Sequence, residues 1–305
     1  MAWRTASLRG ERAAESLPGS ADAVETPSGK GAGDENFPVG SILIARRLRP
    51  HVATFYAFAR AIDDIADSSR LAPEDKLSRL DGFESAILGG EAGDPRYAKA
   101  HRMRASLVET GVTTQHCMDL VAAFKRDATK LRYRDWDDLM GYCYLSASPV
   151  GRYLLDLHGE PRSAYFASDA LCNALQVINH LQDCKSDYLT LNRVYVPEPW
   201  LREAGASVEH LGRERSTKGV RAALDRTLAA TRGLLVDARK LPALLGSRRL
   251  AAESAAIERI AERLCALLRR RDPVAERVEL TKAGFLTACL GGVLRGLVAR
   301  RARAR

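Results

Sequence analysis

From Arg49 to about residue 299, apolar residues recur at intervals of three and four, and alternation of the strand type is nearly absent. A chain patterned in this way buries one stripe per helix and has no use for a sheet, which restricts it to an all-α architecture. The spacing predicts helices over 49–69, 74–88, 96–109, 114–127, 135–158, 162–188, 217–238, 248–271 and 281–299. Breakers punctuate it at Gly89-Gly90 to Pro95, at Gly159 to Pro161, and from Thr190 through Pro197 and Pro199. Residues 1–33 are rich in Ala, Gly, Ser, Glu and Pro without a period and read as a disordered lead-in. One all-α domain is expected over 34–294, followed by a basic tail over 295–305. No internal repeat is visible.

Composition narrows the function classes. With 46% hydrophobic and 28% charged residues in 305, the chain can bury a core large enough for an enzyme. The most apolar stretch, Gly284 to Val298, contains Arg295 and is shorter than a bilayer requires. Six cysteines (Cys117, Cys143, Cys172, Cys184, Cys265, Cys289) form no CxxC pair and have no His at ligand spacing, so they read as small apolar core residues rather than a zinc site. No secretory h-region follows Met1, and a reducing, cytoplasmic setting is expected. The net charge of +9 is concentrated at the end, where Arg295, Arg300, Arg301, Arg303 and Arg305 occur without an acid. Such a tail on a helical stretch suits peripheral contact with anionic lipid or a solvated terminus. No zinc finger or basic stripe with interleaved aromatics supports a nucleic-acid partner.

Two polar stripes carry the chemistry. Tyr56, Arg60, Asp63 and Asp67 are spaced four, three and four, which places them on one helical face, with Asp64 beside them. Two carboxylates one turn apart can hold a hard cation such as Mg²⁺, which takes one or two carboxylates plus substrate phosphates. The same acids could form a solvated patch paired to Arg60. Gln176, Asn179, Asp183 and Asp187, spaced three, four and four, form a second stripe amid Leu175, Ile178 and Leu181. Burying an amide and two carboxylates there requires partners, which a metal–diphosphate cluster or an internal salt-bridge network would supply. Two acidic faces on two long helices are what divalent ions bridging a diphosphate need.

At these residues the chain resembles the squalene/phytoene synthase family of all-α isoprenoid synthases. The resemblance rests on five ordered blocks: Tyr56-Ala-Phe-Ala-Arg60-Ala-Ile-Asp63-Asp64-Ile-Ala-Asp67, Asp127 through Arg132-Tyr133, Tyr142-Cys143 to Val150-Gly151, Leu175-Gln176-x-x-Asn179 to Asp183-x-x-x-Asp187, and Arg193-Val194-Tyr195-Val196-Pro197. It spans Asn36 to Pro197, just over half the chain; the C-terminal third is read from pattern alone. Three details are most similar to the hydroxysqualene synthase branch of bacterial hopanoid pathways: Glu35-Asn36-Phe37-Pro38-Val39, Ser146-Ala147-Ser148-Pro149-Val150-Gly151-Arg152, and Gln182 before Asp183. Members that condense two prenyl diphosphates usually carry a Val-Ala-Gly segment and an Arg at the latter two places. Asn192 stands where the family usually has Gly, and His180 and Cys184 replace aliphatic residues.

The resemblance implies a terpenoid-synthase-like helical bundle around a central cavity. The implied substrate is presqualene diphosphate, with Mg²⁺ on Asp63, Asp64, Asp67, Asp183 and Asp187 and water quenching the rearranged cation to hydroxysqualene. It further implies Arg60, Lys130, Arg132 and Arg193 for charge balance, and Tyr142 and Tyr56, with Asp63 and Asp183, for catalysis. Asn179, Gln176, Tyr195, Ser146, Ser148, Asn36 and Phe37 would contact the substrate. The competing expectations are a synthase joining two prenyl diphosphates head to head and a non-catalytic helical protein assembling on membranes.

Overall fold

A computed structural model describes residues 24–25 and 44–303, with side chains through Gly292. The ordered elements are α1 (Arg49–Asp67), α2 (Pro73–Leu88), α3 (Ala98–Thr110), α4 (Gln115–Asp127), α5 (Trp136–Ser146), α6 (Ser148–Leu157), α7 (Tyr165–Gln182), α8 (Cys184–Leu191), α9 (Glu198–Glu203), α10 (Lys218–Ala238), α11 (Leu241–Leu244), α12 (Arg248–Leu268) and α13 (Lys282–Arg303). Among the described residues the only extended pairing is an isolated parallel bridge between Arg132 and Val194. The all-α expectation stands.

Two long helices are corrected by breaks. The segment expected to run over 135–158 divides at Ala147, because Pro149 lies in the first turn of α6 and has no N–H to continue α5. The segment expected over 162–188 divides at Asp183, whose backbone (φ −101°, ψ 8°) leaves the helical region. The Gln182 side chain donates to the Val278 carbonyl at 2.5 Å and Lys185 to that of Val274 at 3.2 Å, tying both sides of the bend to the chain after α12. Helix α8 stops at Asn192, at φ +53° and ψ 28°. That left-handed position suits Gly or Asn, which explains the replacement seen there. The stretch read as a loop through Pro199 contains the start of α9, where proline suits the first turn. The basic tail continues α13 to Arg303.

Side chains bury into two clusters. The first joins α1 to α4 through Phe55, Phe58, Ile62, Phe83, Met103 and Leu120, closed by Tyr153 of α6 stacked on Phe55 at 4.0 Å. The second is built on α7 with α5, α10 and α12 around it. Helix α7 accepts neighbours on most of its circumference because its inner positions are small, including Ala167, Ala170 and Ala174. Its approach to α6 is set by Gly151, where a Cβ would stand 2.3 Å from Ser168 Oγ and 2.7 Å from Cys172 Sγ. All six cysteines are unpaired; four are buried, and Cys172 and Cys289 are half-buried. Within the segment expected to be disordered, Val24 is buried, Arg79 donates to its carbonyl at 2.8 Å, and Glu25 pairs with Lys99.

Candidate active site

On α1 the residues facing the core are fully buried, whereas Tyr56, Arg60, Asp63 and Asp67 are half-buried and share one face. Arg60 lies between two acids of its own helix, 2.9 Å from Asp63 and 2.7 Å from Asp64. Asp64 is buried rather than on the half-open face, and accepts from Arg60. Burial and the neighbouring Asp67 carboxylate hold the Asp63 carboxyl well above its usual range; Arg60 opposes them, and Asp127 and Asp64 add to the shift. Its side chain nevertheless keeps 27% exposure. Asp63 therefore lies deep in the protein and faces open space.

Helix α7 presents the matching face. On a helix otherwise buried over most of its length, Cys172, Gln176, Asn179, His180 and Asp183 are half-open at helical spacing, and Asp187 extends the line along α8. The structure thus places both acidic stripes of the sequence on half-open faces.

Arg193 connects them. Its backbone N–H donates to the Asp187 carbonyl at 3.1 Å, while its side chain donates to Asp67 Oδ1 at 2.5 Å, to the Ala66 carbonyl at 2.7 Å and to the Asp127 carbonyl at 3.1 Å. Lys76 reaches the same Ala66 carbonyl at 2.9 Å, and burial beside Arg193 lowers its pKa. The guanidinium pKa is pushed further up, because the attraction of Asp127, Tyr195 and Asp67 outweighs the cost of burial.

Behind this pair lies an aromatic wall organised by Asp127, a residue of the matched blocks that had been given no role. Tyr142 donates to Asp127 Oδ2 at 2.6 Å and Tyr195 to Oδ1 at 3.2 Å. Burial raises the Asp127 carboxyl to about 6 against the pull of Arg193 and both hydroxyls. The rings of Tyr133, Tyr142 and Tyr195 lie 5.6 Å from one another, and His180 stacks on Tyr195 at 3.4 Å. Burial among helices is the signal that could have marked Asp127, and single-sequence periodicity does not resolve it.

Other expected residues are used differently. Lys130 pairs with Asp138 at 2.6 Å over the Tyr133 ring, and Arg132 donates to the carbonyl and side chain of Asn192, so both fasten the chain around the Arg132–Val194 bridge. Ser148 is fully buried and donates to Asn173 Oδ1 at 2.9 Å, an α6–α7 contact. Ser146 is also buried, and its hydroxyl has no hydrogen-bond partner among the described residues. Gln182, singled out in the sequence for its place before Asp183, is buried against Val278. Asn36 and Phe37 lie outside the described residues. Among the described residues no three His, Cys, Asp or Glu side chains are gathered for one ion. The donors are carboxylates carried on two separate faces, the type a hard cation takes when other oxygens complete its shell.

Comparison with known proteins follows the same positions. A sequence profile described as squalene/phytoene synthase matches residues 31–283. The chain is 45% identical to a hydroxysqualene synthase of Rhodopseudomonas palustris, over 91% of this chain and 94% of that protein. It is 42% identical to one of Zymomonas mobilis, over 87% and 89%. The crystal structure of squalene synthase HpnC from Alicyclobacillus acidocaldarius superposes with a TM-score of 0.67 at 33% identity, covering 76% of this chain and 87% of that one. A profile match that takes in both acidic stripes and Arg193, together with identity sustained along nearly whole relatives, establishes that the chain belongs to the squalene/phytoene synthase family.

Proposed function

We propose that the protein is a hydroxysqualene synthase: it ionises presqualene diphosphate and adds water to the rearranged cation, giving hydroxysqualene and diphosphate. The observation that carries this reading is the Arg193 bridge, which fixes the end of the second acidic stripe to Asp67 of the first. The names of the relatives at 42–45% identity support the choice of product. Asp63, Asp67, Asp183 and Asp187 would hold Mg²⁺, and the crowding of carboxylates around Asp63 is the arrangement a divalent cation relieves. When bound, Mg²⁺ supplies Lewis-acid neutralisation of charge on the leaving diphosphate.

The chain's own residues do the rest. Arg60 and Arg193 are fixed cations beside the acids, placed to meet negative charge as the C–O bond breaks. The Tyr133–Tyr142–Tyr195 wall, buried and tied to Asp127 through two of its hydroxyls, backs the site and keeps bulk water from it. On α13, Leu286 and Leu290 stand exposed one turn apart, ahead of the five terminal arginines. That combination supports peripheral contact with anionic lipid, where the hydrocarbon substrate and product would partition.

The test is incubation of purified protein with Mg²⁺ and either presqualene diphosphate or farnesyl diphosphate, without NADPH, with products read by mass spectrometry. Hydroxysqualene from the first substrate alone is expected, with no diphosphate released by Asp63→Ala or Asp183→Ala. Presqualene diphosphate formed from farnesyl diphosphate would overturn the reading in favour of a condensing synthase.

A further inference from the structure

The half-open face of α7 carries one group that neither the acidic stripes nor the aromatic wall accounts for. His180 lies one turn before Asp183, and its ring is stacked on Tyr195 at 3.4 Å with 10° between the planes. Gln176, one turn earlier, brings its side-chain amide to 3.2 Å from His180 Nε2; with the amide oxygen turned to the ring it accepts the Nε2–H, which leaves the lone pair on Nδ1. The imidazole is thus gripped on one face and oriented at one edge, while the residue stays half-open. The neighbouring hydroxyls are committed elsewhere, since Tyr142 and Tyr195 both donate to Asp127. The amides of Gln176 and Asn179 are not basic, and burial pushes the Cys172 thiol up to about 12. An imidazole is also an expensive way to fill space that an aliphatic side chain would fill.

Resting on the proposed function, we propose that His180, oriented by Gln176 and Tyr195, binds the water molecule that quenches the carbocation and takes the proton that this water loses. The C–O bond to diphosphate breaks and the diphosphate leaves with the electron pair. After rearrangement, a lone pair on the water oxygen forms the new C–O bond. The O–H electrons remain on oxygen, and the proton passes to Nδ1 of the imidazole, the nitrogen Gln176 does not hold, and from there to the departing diphosphate or to solvent. No reductant enters. Burial beside Arg193 lowers the His180 pKa to about 3, so the ring is neutral while a cation is present and does not repel it. A protonated alcohol is a far stronger acid than such an imidazolium, so the transfer remains downhill.

The test uses full-length protein with Mg²⁺ and presqualene diphosphate in ¹⁸O-water, with diphosphate release and product composition measured in the same samples. Wild type is expected to give hydroxysqualene carrying one ¹⁸O per diphosphate released. In His180→Leu the hydroxylated fraction per diphosphate released is expected to fall about tenfold, a conservative figure for loss of a general base, with hydrocarbons formed by proton loss taking its place. An unchanged fraction would overturn the proposal. So would a variant with wild-type circular dichroism that releases no diphosphate, since His180 would then serve ionisation. Should His180→Leu fail to fold, His180→Asn is read by the same fraction. Absence of diphosphate release in wild type would instead overturn the functional reading itself.

Discussion

Asp127 has both carboxylate oxygens bonded to tyrosine hydroxyls and its carbonyl bonded to Arg193, yet burial still lifts its pKa to about 6. The folded value lies above the ordinary carboxylate value, so the native state binds the proton more tightly than the unfolded chain. The sign follows: this residue's contribution is at its most favourable below about pH 4 and is lost as pH rises toward 6. Asp127→Asn, which mimics the protonated form, should therefore gain about 2 kcal/mol relative to wild type between pH 4 and pH 7, measured by urea unfolding at each pH. An unchanged difference would mean that the carboxyl is not held above its usual range. The acids of the two stripes were legible from sequence because their spacing repeats the helical turn. Asp127 was not, because it is the last residue of α4 and its partners Tyr142 and Tyr195 come from distant positions that only packing brings together. For Lys130, Arg132 and Ser148, residue type and block membership suggested the site, whereas packing gives each a structural partner in Asp138, Asn192 and Asn173 that spacing does not reveal.

At the scale of elements, the extent and direction of the helices followed from the apolar period, and the departures have local chemistry behind them. Pro149 ended one helix, and the tie from Gln182 to Val278 accompanies the bend at Asp183. A three-to-four period continues through both breaks, which is why each pair of helices read as one. Close approach is equally invisible to periodicity. On α13, Gly291 faces open space, but a Cβ on Gly292 would stand 2.4 Å from the Ala255 carbonyl and 2.5 Å from Ala256 Cα of α12. Gly292→Ala should thus cost about 2 kcal/mol of unfolding free energy by pushing the two backbones apart. Gly291→Ala, one residue away, should be neutral or stabilising by up to about 1 kcal/mol, as expected for alanine in an open helical position. Equal effects of the two in chemical denaturation would mean that α13 does not pack on α12 in this register.

Over the whole molecule, the site joins the two apolar clusters, since Asp63 and Asp67 belong to a helix of the first while Arg193 and the α7 stripe border the second. The exposed Leu286 and Leu290 lie on the face of α13 turned away from the second cluster, which Ala288 joins, and no helix among the described residues is long and apolar enough to cross a membrane. Leu286→Ser with Leu290→Ser should lower co-sedimentation with vesicles containing anionic lipid about tenfold, through loss of two buried apolar side chains, while leaving turnover of dispersed substrate intact. Equal sedimentation of the variant would remove α13 as the contact. The six unpaired cysteines are distributed over α4, α5, α7, α8, α12 and α13, and burial pushes the thiols of Cys117, Cys184 and Cys265 up to about 12. Since the thiolate is the species that reacts, these sulfurs stay silent toward alkylating reagents until the helix that carries them swings open. The fold thereby contains its own set of clocks: the order in which the cysteines become labelled is the order in which its helices come loose.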